Sequence, residues 1–161
     1  MTKDFPTPPA VARLPRDRRG YPIFATIVQP EDNDGEPDFA VLDPLRVARC
    51  VRDRLCGVCG EVLGYWIAFI GGDLCLKNPL FPFPMHPECA RYSTRACPHL
   101  SNPRAKYRPV PAGKAVSVNR LVDDRRPSEL FLFTSRRYTP VIVRGHPLVK
   151  AATFAAVERF S

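Results

Sequence analysis

Two short segments, Cys56-Gly57-Val58-Cys59-Gly60 and His86-Pro87-Glu88-Cys89, constrain this chain more than anything else in it. The pattern is C-x2-C, then a gap spanning residues 60–85, then H-x2-C. Cys56 and Cys59 flank a tight glycine-containing turn, which aims two thiolates at one point. His86 and Cys89 stand three apart where a helix should begin, so both face the same side. Thiolate and imidazole donors converging in this way suit tetrahedral Zn2+. A knuckle, a hairpin and two ligands from the first turn of a helix is the treble-clef order. The expected metal ligands are Cys56, Cys59, His86 and Cys89. Four protein ligands leave no coordination position for an activated water, so the metal is expected to be structural.

The remaining cysteines and histidines offer rivals. Cys97 competes with Cys89 for the fourth position, but on one helix the two are about 12 Å apart along the axis. Cys50, Cys75 and Cys97 read as buried thiols, and a second site from Cys75, Cys97 and His99 matches no strong ligand spacing. With no apolar signal-peptide core in Met1-Thr2-Lys3-Asp4-Phe5-Pro6, a cytoplasmic location is the expectation. There the six cysteines favour metal ligation and burial over disulfides. An HNH-like nuclease would need a general-base histidine between the ligand pairs, and residues 61–85 contain none. Cys75 as a nucleophile with His99 or His146 as base lacks any local sign of activation. A metal-dependent hydrolase stays an alternative.

Charge gives the second constraint. The formal net charge is +8, and it is placed unevenly. Residues 1–98 carry 12 Lys/Arg against 12 Asp/Glu, whereas residues 99–161 carry 12 against 4. A basic C-terminal part beside a neutral cysteine-bearing part points to an acidic partner, either nucleic acid or an acidic protein surface. The expected phosphate contacts are Arg104, Lys106, Arg108, Arg125, Arg126, Arg136 and Arg137, with Tyr107 and Tyr138 available for stacking. Arg46, Arg49 and Arg52 fall on one side of a helix and read as a solvated face. No apolar stretch approaches the ~20 residues of a membrane span.

Periodicity gives an α+β chain. Residues 1–20 read as an irregular arm, 21–100 as the zinc-binding region, and 101–161 as a basic strand-strand-helix region packed on the same domain. Tyr21 to Val28 and Asp38 to Leu42 read as strands. Asp43-Pro44 caps and opens a helix over 44–54, with Val47 and Val51 inward. Tyr65 to Ile70 is a strand, Asp73 to Asn78 its hairpin partner, and 87–97 a helix. Nineteen prolines limit regular structure, most of all across 98–128, where only Val116-Ser117-Val118 suggests a strand. Two further strands flank Ser135-Arg136-Arg137-Tyr138. The alanine-rich tail from Pro147 to Phe160 is helical by propensity, with Leu148, Ala151, Ala152, Phe154 and Ala155 supplying its buried face.

The knuckle, followed by Leu63-Gly64, Ala68-Phe69, Cys75, Asn78, Pro84-Met85-His86-Pro87-Glu88-Cys89-Ala90, Tyr92 and Ala96-Cys97-Pro98, resembles small cysteine-rich proteins of actinobacteria and their phages. Arg136-Arg137-Tyr138 fits the same set. The resemblance spans roughly residues 12–145 and departs over 79–85, which is rich in proline and phenylalanine. It implies a zinc site and a bacterial or phage source, and carries no activity with it. The expected function is a zinc-stabilised, non-enzymatic binding protein that meets nucleic acid through its basic C-terminal part. The alternative is a phage or bacterial protein that binds and modulates a protein partner, with Phe81 and Phe83 as exposed anchors.

Overall fold

The computed structural model describes residues 6–97 and 129–160. The chain is a mixed α+β fold of short antiparallel strands and a few helices. It begins with a single helical turn, α1 (Pro9–Ala12), followed by β1 (Ile27–Val28) and β2 (Asp38–Leu42). Helix α2 (Pro44–Asp53) starts as its sequence requires, with the Asp43 carboxylate accepting the N–H groups of Leu45 and Arg46 and proline in the first turn. It ends at Arg54, which takes a left-handed conformation. Strand β3 (Ile67–Gly72), β4 (Leu80–Phe81) and α3 (Pro87–Ala96) complete the first part. The described C-terminal residues are all strand and turn: β5 (Leu130–Ser135), β6 (Tyr138–Val143), β7 (His146–Ala151) and β8 (Ala156–Arg159).

Two three-stranded sheets organise these elements, in the orders β3-β5-β8 and β4-β7-β6. Strand β3 lies against β5 from Ile67↔Ser135 to Gly72↔Leu130. Successive side chains of a strand point to opposite faces, and here both faces are covered. Ala68 and Leu132 face one core, with Cys56, Cys59, Cys89 and Tyr92. Ile67, Phe69 and Phe133 face a second, with Val47, Phe81, Leu148 and Val149. This explains why Ile67-Ala68-Phe69-Ile70 is continuously apolar rather than alternating. Phe81 ties the two sheets together, stacking on Phe69 at 4.8 Å and meeting Phe133 at 5.1 Å.

Several expectations are corrected. The tail is not a helix. Arg144 and Gly145 both have positive φ (51° and 78°), which makes the two-residue turn that pairs β6 with β7. Pairing of β7 on both sides and of β8 with β5 outweighs the helical preference of alanine. Residues 73–78 do not return as a hairpin strand. They hold a 3-10 turn (Asp73–Leu76), and the partner of β3 is β5, far along the chain. Of the strand expected over Tyr21–Val28, only Ile27–Val28 pairs, with an isolated bridge from Pro22 to Arg16. The arm expected to be irregular carries Val11, which is fully buried in the first core. Phe81 is fully buried and Phe83 half-buried, so neither is an exposed anchor. The Tyr138 ring is buried too, its hydroxyl donating to the Val51 carbonyl at 2.8 Å, so it does not stack on a ligand. Val116 to Val118 lie outside the described residues. Among the described residues no helix is long and apolar enough to cross a membrane.

Candidate metal centre

The knuckle is shaped by short backbone bonds. The Gly60 N–H donates to the Cys56 carbonyl and the Cys56 N–H to the Glu61 carbonyl, each at 2.8 Å, and Leu55 bridges Val62. Gly60 sits at φ +79°, which favours glycine. Gly57 is required for a different reason: a Cβ there would stand 2.0 Å from the Phe83 ring. The N-terminal segment braces the turn from outside. The Ala25 N–H donates to the Val58 carbonyl, and the buried Thr26 hydroxyl donates to the Gly57 carbonyl at 2.7 Å. An ion pair between Arg13 and Glu61 spans the outer edge.

The second ligand pair is placed by β3. Ala68 and Met85 exchange N–H···O bonds of 2.8 and 2.9 Å, which fixes the residue just before His86. His86 is the N-cap of α3 and Cys89 lies in its first turn. The partial positive charge of a helix N-terminus favours thiolate there.

Cys56, Cys59, His86 and Cys89 form a group that could hold a metal ion, with one ligand atom from each lying within 4.8 Å of the others. All three cysteines are buried and the histidine is half-buried. His86 Nε2 lies 2.8 Å from the Val62 carbonyl, which can only accept, so Nε2 carries the proton. Nδ1 faces Cys59 Sγ at 3.4 Å and Cys89 Sγ at 3.8 Å. A hydrogen bond from the outer ring nitrogen is the usual device for orienting a histidine ligand. Backbone N–H groups of Val58 and His86 point at Cys56 Sγ, and that of Glu61 at Cys59 Sγ, at 3.3–3.5 Å. Burial alone would raise the Cys56 thiol. The neighbouring Cys59 and Cys89 thiols and the N–H donors pull it well below the usual thiol range. Cys89 is pushed far up by hydrogen bonding to Cys56 and Cys59 and by burial. Each of these thiols shifts the other, Cys56 downward and Cys89 upward. A divalent cation would let all three ionise together.

The other thiols stand apart. Cys75 is fully buried in the second core, 3.5 Å from the Leu80 carbonyl, and its burial pushes the thiol up to about 12. Cys97 packs against the first core at the end of α3. The two therefore do not share a site, and His99 lies outside the described residues. Cys50 is buried beside the knuckle and is raised to about 11, mainly by desolvation.

Of the expected phosphate contacts, Arg136 and Arg137 are described, and both are exposed at the corner where the chain leaves one sheet and enters the other. Arg104, Lys106, Arg108, Arg125, Arg126 and Tyr107 lie outside the described residues. Two residues that sequence reasoning missed, Tyr65 and Trp66, lie against Arg136. The Arg136 guanidinium lies 3.4 Å from the centre of the Tyr65 ring and 5.9 Å from that of Trp66. Arg54 lies over the outer side of the Tyr138 ring at 5.1 Å. The signal for Tyr65 and Trp66 was present, since they begin an apolar run that the sheet uses only from Ile67 onward. A scan against protein-family models, a search of curated proteins and a search of solved structures each return no match for this chain.

Proposed function

We propose that this chain is a zinc-stabilised, non-enzymatic binding module that contacts nucleic acid through the basic corner around Arg136 and Arg137. The observation that carries the reading is the pair of adjacent exposed arginines, Arg136 and Arg137, between β5 and β6. Arg13, Arg18, Arg19, Arg52, Arg91 and Arg159 each have a carboxylate partner. Arg136 and Arg137, exposed and adjacent where β5 gives way to β6, have no such partner among the described residues, and neither do Arg46, Arg49 and Arg54. Arginine left without internal neutralisation is free to meet phosphate. The charge of +8, carried by residues 99–161, adds long-range attraction.

Zinc is the metal the donor set favours. A tetrahedral site with Zn–S of about 2.3 Å and Zn–N of about 2.0–2.1 Å sets S···N edges of roughly 3.6 Å. The two S···N distances of 3.4 and 3.8 Å bracket that value. Three sulfurs and one nitrogen close the shell, which supports a structural role. Elemental analysis of the purified protein is expected to give one zinc per chain, and a Cys59→Ser variant less. A folded, metal-free native protein would overturn the zinc reading.

The binding reading is tested by titrating mixed-sequence DNA and RNA at two salt concentrations. The double substitution Arg136→Ala, Arg137→Ala should weaken binding to all sequences alike. It should also make the log–log salt dependence shallower by about one or two phosphate contacts. Absence of binding at low salt would overturn the reading in favour of a protein partner.

A further inference from the structure

We infer that Tyr65, Trp66 and Arg136 form a stacking platform for unpaired bases, so that the nucleic acid this module takes is single-stranded. The inference deepens the binding reading above and rests on it. Tyr65 remains 62% exposed and Trp66 44%, which is unusual for large rings beside two complete cores. The rings meet edge to face at 5.0 Å and 80°. The Arg136 guanidinium is already seated against Tyr65. Flat aromatic and guanidinium surfaces are what a splayed base stacks on, and a base inside a duplex cannot reach them.

The platform is held by the fold rather than by a free loop. Trp66 immediately precedes Ile67, and Arg136 follows Ser135, which is the residue paired with Ile67 across the sheet. The buried Ser135 hydroxyl lies 3.1 Å from both the Ala152 and Thr153 carbonyls, and the Ala152 N–H donates to the Arg137 carbonyl at 2.9 Å. Tyr138 anchors the next residue to α2. Much of the ordering that a stacked ligand would otherwise have to impose is already present. Exposed Arg137 follows Arg136 in the chain, with charge suited to a phosphate next to a stacked base.

The chain contains one tryptophan, so the platform has its own reporter. The zinc-loaded full chain is titrated with oligothymidylate and with a blunt mixed-sequence duplex. Trp66 fluorescence and the anisotropy of a label on the nucleic acid are read in parallel. Single strands are expected to quench Trp66 and bind more tightly than the duplex. Tyr65→Ala is expected to weaken single-strand binding about five- to hundred-fold. Arg136→Lys keeps the charge but loses the plane, so it should weaken single-strand binding and leave the salt slope unchanged. Far-UV circular dichroism and zinc content of each variant check that it folds. Single strands that bind by anisotropy without quenching, with Tyr65→Ala unaffected, overturn the platform while the binding function stands. Failure of both nucleic acids to bind at low salt overturns both readings and leaves the rings as a contact for a protein.

Discussion

At the scale of single residues, the structure separates thiols gathered in the candidate metal cluster from thiols packed singly. Cys75 is the clearest of the second kind. Its Sγ stands 2.6 Å from where a Cβ on Gly71 would be, so the two residues are fitted to each other. Burial raises the Cys75 thiol from its ordinary value near 9 to about 12. The sign follows: above pH 9 the unfolded chain releases this proton while the folded chain keeps it. The contribution of Cys75 to stability is complete below pH 9 and is lost as pH rises toward 12, at a slope approaching about 1.4 kcal/mol per pH unit. Urea unfolding across pH 8–11 should show a steeper fall for the native chain than for Cys75→Ala, and equal slopes would refute the assignment. Gly57 gives a second residue-level expectation. Gly57→Ala places a methyl group into the Phe83 ring, and overpacking of this kind costs about 1–3 kcal/mol. Its thermal midpoint should fall without loss of the ligands themselves. Neither pairing was legible in the sequence, because each joins residues whose contact depends on the path of the chain between them.

At the scale of elements, what was legible was what local chemistry decides. Asp43-Pro44 announced α2, Pro87 announced α3, and β-branched and aromatic residues announced β2, β3, β5 and β6. What was not legible was decided by partners distant in sequence. The tail from Pro147 has helical propensity, but β7 lies between β4 and β6, and β8 completes the sheet of β5. The one local sign against a helix was Arg144-Gly145, a dipeptide able to take two positive φ angles. This makes Gly145 decisive. Gly145→Val forces a β-branched residue to φ +78° and should cost about 1–2 kcal/mol or more in stability. Circular dichroism should show weakened sheet signal and no gain of helix. A gain of helix with unchanged stability would mean that the tail is not strand-bound. Tyr138→Phe probes the same region from its other side. It leaves the buried Val51 carbonyl without its donor, an expected loss of about 1–3 kcal/mol in denaturant unfolding.

At the scale of the whole molecule, the candidate metal centre and the proposed binding corner draw on different cores. The three cysteines of the candidate metal cluster belong to the first core, with Val11, Phe24, Met85 and Tyr92 in the same core. The arginine corner is built on the second, through Tyr138, Phe133 and the β6–β7 hairpin. Strand β3 is shared, because Ala68 faces one core and Ile67 and Phe69 the other. Metal removal should therefore loosen the molecule unevenly. Three buried sulfurs brought together would repel or require protons once the cation is gone, and the N–H groups aimed at them would lose their partners' charge. Hydrogen exchange after chelation should show protection lost first at Val58, Glu61, Ala68, Met85 and His86, and kept longest at the amides pairing β6 with β7. Over the same titration the thermal midpoint should fall by a clear margin. The proposed nucleic-acid binding should weaken less than stability does, since Arg137 and Tyr138 are held by contacts outside the ligand cluster. Equal loss of protection in both cores would show that the metal holds the entire fold. Protection unchanged everywhere would show that the four side chains do not bind the ion.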